Sequence, residues 1–345
     1  MVKITINGME VSAQDNMTVF EAAETAGIYI PTLCHHPDLS TFGACRVCMV
    51  DADGKIVTAC RAPVKEGMVV KTNTEEVNQV RRVAVELILA NHNEDCQSCS
   101  ENNHCKLQEV SAFVGVTPER MGRMRRTVND VAIDESNPFF ALDRSKCILC
   151  GVCIRTCEEI NGATALDFGF RGYETSVVTL GNKPFLESKC VSCGECVERC
   201  PTGALARQQR DLPEREVKTV CSYCGVGCSM YLGVRGDSVV SVRGDKESPA
   251  NDGHLCVKGR FGYGFIDHPD RLKKPLVRRD GVLEETTWDE ALDLVASKIG
   301  EIRDAHGPES LAGISSARCT NEENYLFQKL IRSLGTNSVD HCARL

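Results

Sequence analysis

All but two of the 21 cysteines in this 345-residue chain fall into five spaced sets. The first is Cys34-x10-Cys45-x2-Cys48-x11-Cys60, and the second is His92-x3-Cys96-x2-Cys99-x5-Cys105. The third and fourth repeat one spacing, Cys147-x2-Cys150-x2-Cys153-x3-Cys157 and Cys190-x2-Cys193-x2-Cys196-x3-Cys200. The fifth is Cys221-x2-Cys224-x3-Cys228-x27-Cys256. Thiolates are soft anionic ligands that bind iron tightly, so grouped thiolates in this number point to several iron–sulfur clusters, not to scattered buried cysteines. Clusters in series pass single electrons, which makes a redox relay the first inference.

The sets differ in what their spacing alone decides. One close pair with two distant partners, as in the first set, is the plan of a 2Fe–2S ferredoxin, with zinc as the alternative. In the second set an imidazole takes the place of one thiolate, and three cysteines with one histidine also suit zinc. In the third and fourth sets three thiolates crowd into a short run that can wrap three corners of a cubane, whereas tetrahedral zinc rarely has its ligands so close. The fifth set, three clustered ligands and one remote, suits a 4Fe–4S cluster and leaves zinc as a rival. Cys319 and Cys342 have no close partners and are expected to be small buried side chains. His35, His36, His254, His268, His306 and His341 carry no catalytic expectation, and Gly262-x-Gly264, which follows no strand, makes no dinucleotide site.

Periodicity gives the elements that must position these ligands. Val2, Ile4, Ile6 and then Met9, Val11 alternate around Asn7-Gly8, a hairpin signal. Thr18 caps a short helix, Val19 to Ala26, closed by Gly27. Strand-like runs at Arg46 to Val50 and Ile56 to Ala59 flank a turn at Asp53-Gly54. Helical periodicity marks residues 79–118, through Val80, Val83, Val85, Leu87, Ile88 and Leu89. Residues 138–207 contain an internal repeat. Gln208 to Lys218 is polar, with Pro213, and reads as a linker. Runs at Met230 to Val234 and Val239 to Arg243 surround Gly236-Asp237. Apolar positions 291, 292, 295, 296, 299 and 302 trace one face of a helix from Trp288 to Ile302, capped by Thr287. Leu311 to Ile314 (strand-like), Glu322 to Leu334 (helix, stopped at Gly335) and Ser338-Val339 (strand-like) read as the opening of an α/β layer.

Composition excludes several classes. The formal charge is −8, which argues against nucleic acid as a partner. Arg120, Arg123, Arg125 and Arg126 then read as a solvated or partner-facing stripe. No stretch approaches the roughly 18 apolar residues that cross a bilayer. Met-Val-Lys-Ile-Thr-Ile-Asn-Gly alternates like a strand and has no signal-peptide core, so a cytoplasmic location is expected and a disulfide framework is not. Aromatic residues are only 5%, which fits small domains cross-linked by metal instead of large cores.

These motifs carry family resemblances. Residues 1–78 resemble a β-grasp 2Fe–2S ferredoxin of the kind found in the large iron–sulfur subunit of complex I and in some iron-only hydrogenases. Residues 79–118 resemble the helical domain with one histidine and three cysteine ligands that follows it in complex I, which implies a 4Fe–4S cluster on His92, Cys96, Cys99 and Cys105. Residues 138–207 resemble the bacterial two-cluster 4Fe–4S ferredoxin, in which the fourth cysteine of each run serves the other cluster. That resemblance implies one cubane on Cys147, Cys150, Cys153 and Cys200, and another on Cys190, Cys193, Cys196 and Cys157. Pro201 follows Cys200 as the pattern asks, and Glu158 stands where a second proline is usual. After a linker, 208–216, residues 217–272 with Cys-Ser-Tyr-Cys-Gly-Val-Gly-Cys and Leu-Cys-Val-Lys-Gly-Arg resemble the 4Fe–4S domain of molybdopterin oxidoreductases. There a lysine two residues past the fourth cysteine lies between cluster and pterin, which maps onto Lys258; a solvated lysine is the alternative. Residues 273–345 resemble the start of the molybdopterin domain, an incomplete α/β layer.

The order of domains, within a multidomain α+β chain, is similar to the alpha subunit of multi-subunit, NAD-linked formate dehydrogenases. The segments Ser315 to Tyr325 and Ser338 to Leu345 share that likeness. It implies one 2Fe–2S and four 4Fe–4S clusters. In the full-length protein it also implies molybdenum or tungsten on two pterin guanine dinucleotides, with formate and carbon dioxide as substrates. It further implies a flavin-containing, NAD-binding diaphorase-type partner and a small 2Fe–2S subunit. The ligand to molybdenum or tungsten would fall at position 346, and a selenocysteine encoded there by UGA is the expectation. No catalytic residue is then expected within 1–345. A complex I-like NADH:quinone oxidoreductase subunit and a free-standing polyferredoxin are the alternatives.

Overall fold

The computed structural model describes residues 1–117, 132–208 and 212–343. Arg120, Arg123, Arg125 and Arg126 lie outside the described residues. The chain divides into two compact units, Met1–Arg210 and Asp211–Leu345.

The first unit opens with the expected hairpin, β1 (Val2–Ile6) and β2 (Met9–Ala13). Asn7 and Gly8 both have positive φ, 51° and 85°, the backbone that a two-residue hairpin turn requires. Helix α1 (Val19–Thr25) begins at a capping box: the Glu21 carboxylate accepts from the Thr18 N–H while Thr18 Oγ1 accepts from the Glu21 N–H. Strands β3 (Met49–Ala52), β4 (Lys55–Thr58) and β5 (Val69–Lys71) complete a five-stranded sheet of order β2-β1-β5-β3-β4, with β1 and β5 parallel. The strand expected from Arg46 starts instead at Met49, because Arg46 has φ 57° and the chain is still coiling between Cys45 and Cys48.

Helix α2 (Glu75–Leu89) starts four residues before the expected boundary at 79, since Thr74 Oγ1 caps it by accepting from the Val77 N–H. With α3 (Lys106–Val114) it buries Val85, Leu89, Leu107 and Val110 against Leu33 and Val47, the residues flanking the first cysteine loop.

The repeat follows. Strands β6 (Phe140–Leu142) and β9 (Leu205–Arg207) pair antiparallel and tie its two ends together. Between them lie two short helices, α4 (Val152–Arg155) and α5 (Glu195–Glu198), and an inserted hairpin, β7 (Leu166–Gly169) and β8 (Ser176–Thr179). Phe140 and Phe185 pack edge to face, with ring centroids 5.2 Å apart, as the small core of this part.

In the second unit β10 (Arg215–Val220), β11 (Ser229–Arg235) and β12 (Ser238–Gly244) form an antiparallel sheet in that order. The expected linker therefore ends at Arg215. Its charges belong to an edge strand, where Glu216 pairs with Arg243, and Lys218 lies 2.8 Å from Asp245. Helix α6 (Val257–Phe261) and the hairpin β13 (Leu276–Arg279) and β14 (Val282–Glu285) come next. Helix α7 (Trp288–His306) is capped by Thr287 as expected, and its apolar stripe is exposed, with Leu292 at 58%. Strands β15 (Gly313–Ser315) and β16 (Val339–His341) pair in parallel around α8 (Asn321–Ser333), the expected α/β unit. Cys319 and Cys342 are exposed, contrary to expectation. Both lie in the loops that leave the C-terminal ends of β15 and β16, and such loops run over the surface. No helix among the described residues is long and apolar enough to cross a membrane.

Ile6 is fully buried in the core between the sheet and α1. Ile6→Ala is expected to cost about 2–5 kcal/mol by lost transfer energy and the cavity left behind, far more than loss of the exposed Lys3–Glu10 pair. Denaturant unfolding of the two variants, followed by circular dichroism, checks the ranking.

Candidate functional site

Local backbone chemistry explains how each sulfur is aimed. Cys48 immediately precedes β3 and Cys60 follows β4; the Ala59 N–H donates to the Cys48 carbonyl at 2.9 Å, so the β-ladder itself sets their separation. Cys34 and Cys45 face each other across a loop that turns at Gly43, φ 74°. Contact with the Cys45 thiol, and the backbone N–H groups of Cys45, Ala44 and Gly43, hold the Cys34 thiol well below its ordinary range. Cys60 is likewise lowered by Cys48, while Cys45 and Cys48 are pushed up by their thiolate neighbours and by burial. The four sulfurs of the first set thus form one coupled group.

The second set lines a cavity of about 410 Å³ that contains His92, Cys96, Cys99 and Cys105. Burial lowers the His92 pKa and keeps the ring neutral, and its Nδ1 is buried with no hydrogen-bond partner. A neutral imidazole with an unpartnered nitrogen inside a ring of thiols fits a metal ligand. Gly203 forms part of the wall: a Cβ there would stand 2.5 Å from Cys99 Sγ.

The third and fourth sets are built alike. Leu149 and Ser192 have φ 53° and 54°, Gly151 and Gly194 φ 70° and 76°, and a helical turn follows each glycine. This backbone lets the Leu149 N–H donate to Cys147 Sγ and the Ser192 N–H to Cys190 Sγ, both at 3.4 Å. The Ala165 N–H donates to Cys157 Sγ at 3.2 Å. Cys157 lines one small cavity with Cys190, Cys193 and Cys196, and Cys200 acts electrostatically on Cys147, Cys150 and Cys153. Cys157 is thus brought to the sulfurs of the fourth set, and Cys200 lies near those of the third while also acting on Cys196 of its own run. Burial pushes Cys147 up to about 11, and raises Cys150, Cys153, Cys196 and Cys200 as well. Such thiols keep their protons unless a bound cation replaces them. That requirement fits iron.

The fifth set joins a hairpin base to a helix start. Cys221 follows β10, Cys228 precedes β11, and the Cys221 N–H donates to the Cys228 carbonyl at 2.8 Å. Cys256 is the N-cap of α6. Burial raises Cys228, helped by Cys221, Cys224 and Cys256 around it. Lys258 is exposed on α6, two residues beyond Cys256. Among the described residues no group of three or more His, Cys, Asp or Glu is arranged to hold a single metal ion.

Five families match the chain in order. They are the 2Fe-2S iron-sulfur cluster binding domain (residues 1–75), the NADH-ubiquinone oxidoreductase-G iron-sulfur binding region (81–120) and the 4Fe-4S dicluster domain (146–204). The molybdopterin oxidoreductase Fe4S4 domain (214–268) and molybdopterin oxidoreductase (271–345) follow. A solved NAD+-reducing [NiFe]-hydrogenase is 31% identical with a TM-score of 0.52, covering 60% of this chain and 87% of that one. The chain belongs to the NADH-quinone oxidoreductase G and molybdopterin oxidoreductase iron–sulfur family. Among this family's curated proteins it is 38% identical to the NADH-quinone oxidoreductase G 2 subunit of Rhizobium meliloti, over 100% of this chain and 40% of that protein. It is 31% identical to the putative formate dehydrogenase YrhE of Bacillus subtilis, over 99% of this chain and 40% of that protein. The chain thus spans about 40% of the length of these relatives. As a member of the family it contains 2Fe–2S and 4Fe–4S cluster-binding domains and a molybdopterin oxidoreductase domain.

Sequence reasoning missed several residues of this family member's sites. Gly203 is one, marked by no spacing. Two buried arginines, Arg81 and Arg155, are others: α2 periodicity gave no sign that a charged residue faces inward at 81.

Two outcomes test this geometry. Gly203→Ala should displace Cys99 and lower the iron bound at the second set, while Gly300→Ala in α7, where a Cβ meets nothing within 4 Å, should not; iron analysis with EPR distinguishes them. Because the folded His92 pKa lies below the ordinary 6.5, the neutral ligand form persists as pH falls past 6.5 and is lost only through the lowered value. His92→Ala should abolish the iron signal of this set, read by EPR after anaerobic reconstitution at neutral pH.

Proposed function

We propose that this chain is the iron–sulfur relay of a formate dehydrogenase alpha subunit, carrying electrons between a molybdenum- or tungsten-pterin site and an NAD-reducing flavin partner. The observation that carries the relay is that the ligand residues of each set come together within their own unit, above all Cys157 beside Cys190, Cys193 and Cys196. In this reading Cys34, Cys45, Cys48 and Cys60 hold a 2Fe–2S cluster. Four 4Fe–4S clusters are held by His92 with Cys96, Cys99 and Cys105; by Cys147, Cys150, Cys153 and Cys200; by Cys190, Cys193, Cys196 and Cys157; and by Cys221, Cys224, Cys228 and Cys256. Bound there, iron–sulfur clusters supply one-electron transfer. The chain's own part is to replace thiol protons by iron, to point the Leu149, Ser192 and Ala165 N–H groups at sulfur, and to exclude water around Cys150, Cys153 and Cys196. Lys258 stands beside the fifth set on the side of α6.

Formate as the substrate is supported by the likeness of the Cys221–Cys228 segment and of the paired repeat to formate dehydrogenases, and by YrhE. NAD as the far partner is supported by the NAD+-reducing hydrogenase likeness. A quinone-linked reading is favoured by the Rhizobium relative and is the second reading. The protein is placed in the cytoplasm, with a diaphorase-type subunit and a small 2Fe–2S subunit as partners.

The test uses the full-length protein with its partners under anaerobic conditions. Formate and NADH should each reduce the clusters by EPR, and Cys200→Ser should remove or alter one 4Fe–4S signal. Reduction by NADH but not by formate overturns the substrate assignment and favours the second reading. Reduction by neither overturns the relay.

A further inference from the structure

Two guanidinium groups are buried beside the first cysteine set, and neither has a carboxylate within ion-pair distance among the described residues. Arg155, 7% exposed, reaches from α4 to the first loop, where its Nη2 donates to the Cys34 carbonyl at 2.6 Å and its Nη1 to the Ser40 carbonyl. Its guanidinium carbon lies 5.4 Å from the centre of the Phe42 ring. Arg81, 1% exposed, projects from α2, and its Nη1 donates to the Thr72 carbonyl at 2.9 Å. Its Nε and Nη2, and the Nε of Arg155, have no hydrogen-bond partner. Burial lowers the Arg81 pKa to about 10, and negative charge on the nearby Cys48 sulfur works against that by favouring the charged guanidinium. Glu159 feels the Arg155 charge, but it is exposed and its carboxylate accepts from the Ser40 N–H and hydroxyl at 2.7 and 2.6 Å.

Burying a cation without an anion is costly, and truncating its partner typically leaves a penalty of several kcal/mol. Two such cations beside one thiol set, one bonded to the Cys34 carbonyl and one near Cys48, need a counter-charge. An iron–sulfur cluster on four thiolates is a net anion in both oxidation states, and gains one more negative charge on reduction. Nearby charge and hydrogen bonding are among the factors that set cluster potential.

We propose that Arg81 and Arg155 are positioning residues whose fixed charges clamp the 2Fe–2S cluster of Cys34, Cys45, Cys48 and Cys60 and raise its reduction potential. This rests on the ligand assignment under the proposed function. The two charges favour the reduced cluster over the oxidised one because the added electron is drawn to both. Arg155 is shared: it sits between Cys153 and Cys157 in sequence, while Cys34 and Cys150 belong to one buried cluster of side chains. Arg155 therefore links the helix of the neighbouring cubane set to the loop of the 2Fe–2S set.

The test is an EPR-monitored redox titration of the cluster-loaded protein, comparing wild type with R155Q, R81Q and R155K. At fixed potential each glutamine variant is expected to lower the reduced fraction of the 2Fe–2S centre about tenfold, a downward shift of about 59 mV for one electron. R155K, which keeps the charge, should titrate near wild type. An intact 2Fe–2S signal with unmoved potential in both glutamine variants overturns the proposal and leaves the ligand assignment standing. Loss of the signal in both glutamine variants and in R155K assigns the arginines to holding the fold and also overturns it. A wild-type protein with no 2Fe–2S signal overturns both the proposal and the assignment beneath it.

Discussion

Grouping sulfur in a protein interior sets a conflict between burial and charge. A thiolate is stabilised by water or by a cation, and burial removes the water. Cys150, Cys153 and Cys196 lie where desolvation raises the thiol pKa far above its ordinary range. Replacing the protons by iron resolves that conflict, and the surrounding structure suits such an exchange. Left-handed residues at Leu149 and Ser192 turn N–H groups toward sulfur; Gly203 clears space beside Cys99; His92 stays neutral because its surroundings will not tolerate its charge. Apolar cores are correspondingly small. In the repeat, Phe140 and Phe185 are the largest buried side chains of their neighbourhood, and much of the remaining cross-linking falls to the metal sites.

The ligand groups of the first unit are tied to one another by backbone as much as by side chains. The Lys106 N–H donates to the Pro201 carbonyl at 3.0 Å, and the Asn93 N–H to the Ser145 carbonyl at 2.9 Å, linking the second set to the repeat. Arg199 bonds Asp38 at 2.9 Å and Ser40 bonds Glu159, linking the first loop to both halves of the repeat. These contacts join residues distant in sequence and fix the groups against each other within the unit. Outer positions such as Lys3 and Glu10 add little by comparison.

Much of this was legible in the residues. Cysteine spacing marked residues that the fold brings together, because a cluster demands its ligands at short, stereotyped intervals. Turn chemistry at Asn7-Gly8 and capping at Thr18 and Thr287 located their elements, since each is decided within a few residues. Errors arose where distant contacts overrule local pattern. Arg46 to Cys48 alternates like a strand but is bent by the loop that carries Cys45. Gln208 to Lys218 is charged like a linker, yet from Arg215 it pairs with β11 as an edge strand. Cys319 and Cys342 were assigned to the interior from residue type alone, and loop position puts them outside. Arg81 and Arg155 gave no local sign at all, for a buried cation is recognised only by what surrounds it.

Under the proposed ligand assignment, the exchange of Cys157 and Cys200 between the two halves of the repeat has a consequence for damage and renewal. Each half depends on a sulfur that the other half positions. Oxidation of a single thiol in one half would disarm a site in the opposite half, so injury spreads across the pair and does not stay local. Assembly faces the same rule in reverse: neither half has a full ligand group until β6 and β9 have closed the repeat. The two sites are thus made together, and they fail together.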